Sequence, residues 1–149
     1  MLRFIASLHD ITMVVFMNLK EKIEKLKTRE DEFGKLQLDV IRVLTIFNGV
    51  LWMSEIIPDI MKIHGHVMDY LPTEKMLEKV LEKLEDDGII NVEVRERGMM
   101  FSKGVYKDKL VKLLNLREAR TLLTSDNVYI NYLSRKMKML RRALQQNDE

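Results

Sequence analysis

Two sets of side chains have the types and spacing to hold a phosphate-bearing partner. Arg95, Arg97 and Lys103 form one set, and Thr73, Lys75 and Lys79 the other. Guanidinium forks and ammonium groups bind phosphate oxygens through charge-assisted hydrogen bonds. Arg95 and Arg97 flank Glu96 and precede Gly98, where the chain can turn and present both. The surrounding charge is divided. Ile89 to Ser125 carries eight Lys and Arg against four carboxylates, so that half is basic. Thr73 to Gly88 carries three Lys against six carboxylates, so phosphates would repel it unless the carboxylates point away. The Lys75/Glu78, Lys79/Glu82 and Lys83/Asp86 pairs fall at i,i+3, so the same charges also suit a solvated helix face without a ligand.

Other chemistry is sparse. His64 and His66 flank a glycine and could share a metal, but a zinc site needs three or four ligands, so the pair reads as loop. The chain has no cysteine, which excludes disulfides and thiolate metal sites. No glycine-rich phosphate loop, nucleophile motif or carboxylate pair stands out, so neither an enzyme nor a cofactor is expected. The eleven Met residues, Met99-Met100 among them, suit either core gap-filling or an adaptable surface, and core is the expectation. Trp52 is expected to anchor the core.

These residues must be positioned by helices and a hairpin. Thr73 to Gly88 has a helical stripe of Met76, Leu77, Val80, Leu81 and Leu84, with Thr73 as N-cap and Gly88 as terminator. The spacing predicts a strand over Ile89–Val94, a turn at Arg95–Gly98 and a second strand over Met99–Tyr106. Upstream, Leu36 to Asn48 reads as a helix, Val50-Leu51-Trp52 as a short strand, and Ser54 as the cap of a helix with Ile56, Ile57, Ile60, Met61 and Ile63 inside. Downstream, Leu110, Val111, Leu113, Leu114 and Leu116 predict a helix ending near Asn115–Arg117. Thr124-Ser125-Asp126 then caps a last helix with Ile130, Leu133, Met137, Leu140 and Leu144, a seam of alternating spacings 3 and 4.

The amino end is apolar from Met1 to Leu19. His9-Asp10 interrupts it where a membrane span of about 20 apolar residues would be driest, and no signal-peptide pattern is clear. It reads as a helix over Leu2–Lys27 that needs cover on several sides, with another subunit supplying it. Met17 is an alternative start. At 149 residues and net charge +2, the chain fits one domain, or a smaller core with added dimerisation helices. Abundant Lys, Glu, Ile and Leu with few Pro suggest a thermophilic, cytoplasmic protein without a membrane partner.

The helix ending Leu84-Glu-Asp-Asp-Gly-Ile-Ile90 and running into a hairpin resembles the recognition helix and wing of winged-helix proteins. The order of elements is similar to that of the MarR family, where terminal helices dimerise. The Asp-x-Arg wing signature of that family is not matched; the nearest stretch is Glu93-Val94-Arg95. The resemblance implies an α+β winged helix, mainly α with a small β-hairpin, over 35–107. Dimerisation segments would lie at 1–34 and 108–149, through Ile5, Leu8, Ile130, Leu133, Met137, Leu140 and Leu144. It implies a homodimeric regulator of transcription that binds double-stranded DNA. Arg95, Arg97 and Lys103 would contact the backbone or minor groove, and Thr73, Lys75 and Lys79 phosphates or base edges. The acidic helix keeps a second reading open, a winged-helix module for protein contacts in a replication, transcription or repair assembly.

Overall fold

A computed structural model describes residues 18–147. The elements run α1 (Leu19–Lys27), α2 (Glu32–Ile46), β1 (Val50–Trp52), α3 (Met53–Ile63), α4 (Glu74–Asp86), β2 (Ile90–Gly98), β3 (Val105–Leu113), α5 (Leu116–Leu122), a 3-10 turn (Leu123–Ser125) and α6 (Asn127–Asn147). The fold is α+β, with six α-helices and a three-stranded antiparallel sheet among the described residues, compatible with a winged-helix layout. Ile5 and Leu8, and the first part of the helix expected over Leu2–Lys27 as far as Met17, lie outside the described residues.

The core is built around α2. Leu36, Val40, Ile41, Val43 and Leu44 on it are wholly buried, against α1, α3, α4 and β3. Leu19, Ile23 and Leu26 of α1 join the same core. That half of the expected dimerisation helix is therefore used up within its own chain. The Lys22 ammonium donates to Asp87 at 2.6 Å and fastens α1 to the end of α4.

Side-chain caps set several helix starts, as orphan N–H groups require. Asp31 accepts from Gly34 N and begins α2 four residues before the apolar stripe does. Thr73 Oγ1 accepts from Met76 N at 3.2 Å, the expected cap of α4. Asp126 accepts from Tyr129 N at 2.9 Å. Ser54 is not a cap. Trp52 occupies that position on α3 with no side-chain bond, and Ser54 donates to Asp108 instead. Gly88, at φ +75°, ends α4 in the left-handed region that favours glycine, and Ile89 N closes back on Leu84 O.

The strand order is β1-β3-β2. β3 pairs with β1 from Val50↔Lys112 to Trp52↔Leu110, and with β2 from Ile90↔Leu113 to Gly98↔Val105. Two expectations fail here. The turn lies at residues 99–104, not Arg95–Gly98, because all of Arg95-Glu-Arg-Gly98 is paired with 105–108. The helix expected over Leu110–Leu116 is instead the end of β3 through Leu113 and a two-residue turn, and only Leu116 is helical, as the start of α5. A central strand is covered on more than one side, so Leu110, Val111 and Leu113 form a short apolar run whose period does not separate strand from helix. The boundary expected at 107/108 consequently falls inside a strand.

α6 packs by Tyr129, Val128, Tyr132 and Leu133 against the core. From Ser134 to Asn147 every side chain is exposed. Arg135 still donates to Ile63 O at 2.9 Å and Lys136 lies over the Phe47 ring, so the free part begins at Met137 and is about 16 Å long at the helical rise.

Candidate functional site

α3, α4 and β3 bound an open groove of about 530 Å³. Ile57 and Pro58 of α3 and Leu77 of α4 give it an apolar floor, while Glu74 and Glu78 face it from α4 and Lys107 and Lys109 from β3. The period of α4 explains this division. Its apolar stripe is buried, Glu74, Glu78 and Glu82 run down one edge of the exposed side, and Lys75, Lys79 and Lys83 run beside them.

Arg97 lies behind the groove and is fully engaged. Its guanidinium donates to Asp108 at 2.9 Å and to Ser54 Oγ at 3.3 Å, and lies 3.8 Å from Glu55. It also stacks over Trp52, 4.4 Å from the ring centroid, and stands 5.6 Å from that of Tyr106. The Asp108 bond holds Arg97 above its ordinary pKa. Burial pushes Asp108 up, but bonds from Ser54, Arg97 and the Lys109 N–H outweigh it and hold the carboxyl below its usual range. Trp52 is half-buried, a platform for Arg97 rather than a core anchor. Arg95 donates to Glu93 at 2.7 Å, and this bond holds Glu93 below its ordinary value. Both arginines expected at the tip therefore sit along β2 beside carboxylates.

At the tip the turn closes on itself. Met99 N donates to Gly104 O at 3.0 Å, Gly104 N to Ser102 Oγ at 3.1 Å, and the Ser102 hydroxyl to Met99 Sδ at 3.2 Å. Met100 and Phe101 are left at the apex, 88% and 95% exposed, with Lys103 beside them. Met99 and Met100 are surface residues, against the expectation of core packing.

Thr73, Lys75 and Lys79 come together on the first half of α4, and Lys103 stands apart on the hairpin tip. Lys75, Lys79, Lys103, Lys107 and Lys109 make no ion pair among the described residues. Lys107 and Lys109 were not singled out from sequence. The alternation Val105-Tyr-Lys107-Asp-Lys109 was the available signal, obscured by reading the strand as ending at Tyr106.

A second polar cluster is structural. Asp39, buried on α2, accepts from Arg42 (2.8 Å), His64 Nε2 (2.8 Å) and Tyr70 OH (2.6 Å). Arg42 also forks onto Asp126 at 2.7 and 2.9 Å, joining α2 to the start of α6. Burial, then the Asp39 charge, pushes the Tyr70 hydroxyl well above its ordinary pKa. His64 is thus committed to Asp39, while His66 takes a left-handed turn position at φ +63°. Among the described residues no three His, Asp or Glu side chains are grouped to hold a metal, and no helix is long and apolar enough to cross a membrane.

No protein-family model matches the chain, and no curated protein matches it in sequence.

Proposed function

We propose that the protein is a winged-helix DNA-binding protein that works as a homodimer in transcription regulation, with α4 as recognition helix and β2–β3 as wing. The observation that carries this reading is the set of five lysines on α4 and the hairpin, all without an ion pair among the described residues. Free ammonium groups are what counterion release from DNA requires. Lys75 and Lys79 with Thr73 would hold phosphates beside the groove entered by α4, and Lys103, Lys107 and Lys109 phosphates along the wing. Glu74 and Glu78 would accept from cytosine amino groups. Arg95 and Arg97, occupied by carboxylates, would shape the wing. The chain would bind rather than catalyse.

Titration with random duplex DNA across salt tests this. We expect log K to fall against log salt with a slope of about −4.5 per protomer. Replacing Lys107 and Lys109 with Ala should flatten that slope by about two units. No binding at low salt would end the DNA reading. The carboxylate edge of Glu74, Glu78 and Glu82 favours a second reading, a protein-contact module whose partner presents a basic surface. Charge reversal of that edge would abolish such a contact but strengthen the sequence-independent binding to random duplex DNA.

A further inference from the structure

We infer that the wing tip is an apolar wedge that enters DNA between base pairs; this rests on the DNA-binding reading above. Met100 and Phe101 are among the most exposed large apolar side chains of the described residues. They stand at the apex of a turn whose own hydrogen bonds are closed by Met99, Ser102 and Gly104. The pair is thus presented in advance, and ordering it on binding costs little.

The charge around the wedge points to its partner. From Gly98 to Lys107 the chain contains two cations, Lys103 and Lys107, and no carboxylate, and Lys103 lies two residues from Phe101. An apolar tip with cationic shoulders fits a phosphate-lined groove with a stacked apolar interior. Phe and Met side chains wedge between base steps in this way and kink the duplex. Phe adds stacking on a base face, and Met a flexible, polarisable contact. The free lysines on α4 would bring the same duplex to the hairpin, and favour DNA over a lipid surface. The wedge would read deformability, so flexible pyrimidine–purine steps should be preferred under the tip.

The test uses the full chain and a duplex carrying 2-aminopurine, with end-to-end energy transfer to report bending. The Met100→Ala, Phe101→Ala double variant changes only exposed side chains, so its melting temperature should match the parent. We expect it to bind about tenfold more weakly, with the parent's salt slope, and to lose both the 2-aminopurine rise and the bend. Lys103→Ala should instead flatten the slope by about one unit and keep the bend. If the parent binds without unstacking or bending, or the double variant binds like it, the wedge is refuted while DNA binding stands. If the parent binds no duplex at low salt, the DNA reading and the wedge fall together. Tip-dependent binding to phosphatidylserine vesicles with no duplex unstacking would overturn the wedge in favour of a membrane contact.

Discussion

Arg97 illustrates how a cation can be conspicuous in sequence and spent in structure. Its charge is matched by Asp108 and its face by Trp52, so it braces β2 against the start of α3. Arg97→Ala should lower the melting temperature and leave the salt slope of DNA binding unchanged. A normal melting curve with a flattened slope would return Arg97 to the phosphate-binding set. Gln37 poses the opposite problem. It is wholly buried on α2, its Oε1 has no partner among the described residues, and its amide N–H reaches Phe33 O only at 3.4 Å. An unmet buried acceptor costs more than an apolar group of the same shape. Gln37→Met should therefore stabilise the fold by about 1 kcal/mol in urea titration, and a loss of that size would show that the amide is better satisfied than its distances imply.

At the scale of elements, the Arg42–Asp126 fork holds α6 against α2. Burial pushes Asp126 up, but the Arg42 hydrogen bonds and charge, with the Tyr129 N–H, outweigh it and leave the carboxyl below its ordinary value. A carboxyl depressed in the folded state stabilises fully above its unfolded pKa, and that contribution is lost as pH falls through the folded value. Acidification below about pH 4 should thus weaken the fold. Asp126→Asn should cost about 3 kcal/mol at neutral pH, because Arg42 loses one of two carboxylates in a buried site. The variant should also show a shallower decline in acid. An equal decline in both proteins would assign the acid sensitivity elsewhere. The wing follows a different logic: β2 and β3 are paired almost to the tip, so a tip substitution should leave the core's melting untouched.

For the whole molecule, the free part of α6 is the longest apolar face left uncovered among the described residues. Met137, Leu140 and Leu144 are 52%, 53% and 66% exposed on one face of a helix extending past the body. A second copy would cover this seam in a two-fold contact, as in most homodimers. Leu140→Asp with Leu144→Asp should convert a dimer to a monomer in sedimentation without unfolding it, since neither side chain is buried within its own chain. Duplex affinity should then fall about a hundredfold through lost avidity. A wild-type chain that sediments as a monomer at micromolar concentration would remove the dimer, and a monomeric variant with parental affinity would separate dimerisation from binding.

Helix α4 was legible because its stripe, Thr73 cap and Gly88 terminator are local features that agree with one another. The short β1 was legible for a similar reason, an apolar Val50-Leu-Trp52 trio between a glycine turn and a helix. The order of elements followed from them. What the chain alone could not decide was anything set by pairing across distance. Arg95-Glu-Arg-Gly98 has turn chemistry, yet it is strand because 105–108 pairs with it. Leu110 to Leu113 fits a helix by period, yet becomes the centre of a sheet because β1 and β2 flank it. Leu19, Ile23 and Leu26 could have faced a second copy, but α2 and α5 take them. The candidate site shifted by the same rule. Sequence supplies the inventory of cations, but a cation's availability depends on which carboxylate folds against it. That choice engaged Arg95 and Arg97 and left Lys107 and Lys109 without an ion pair among the described residues.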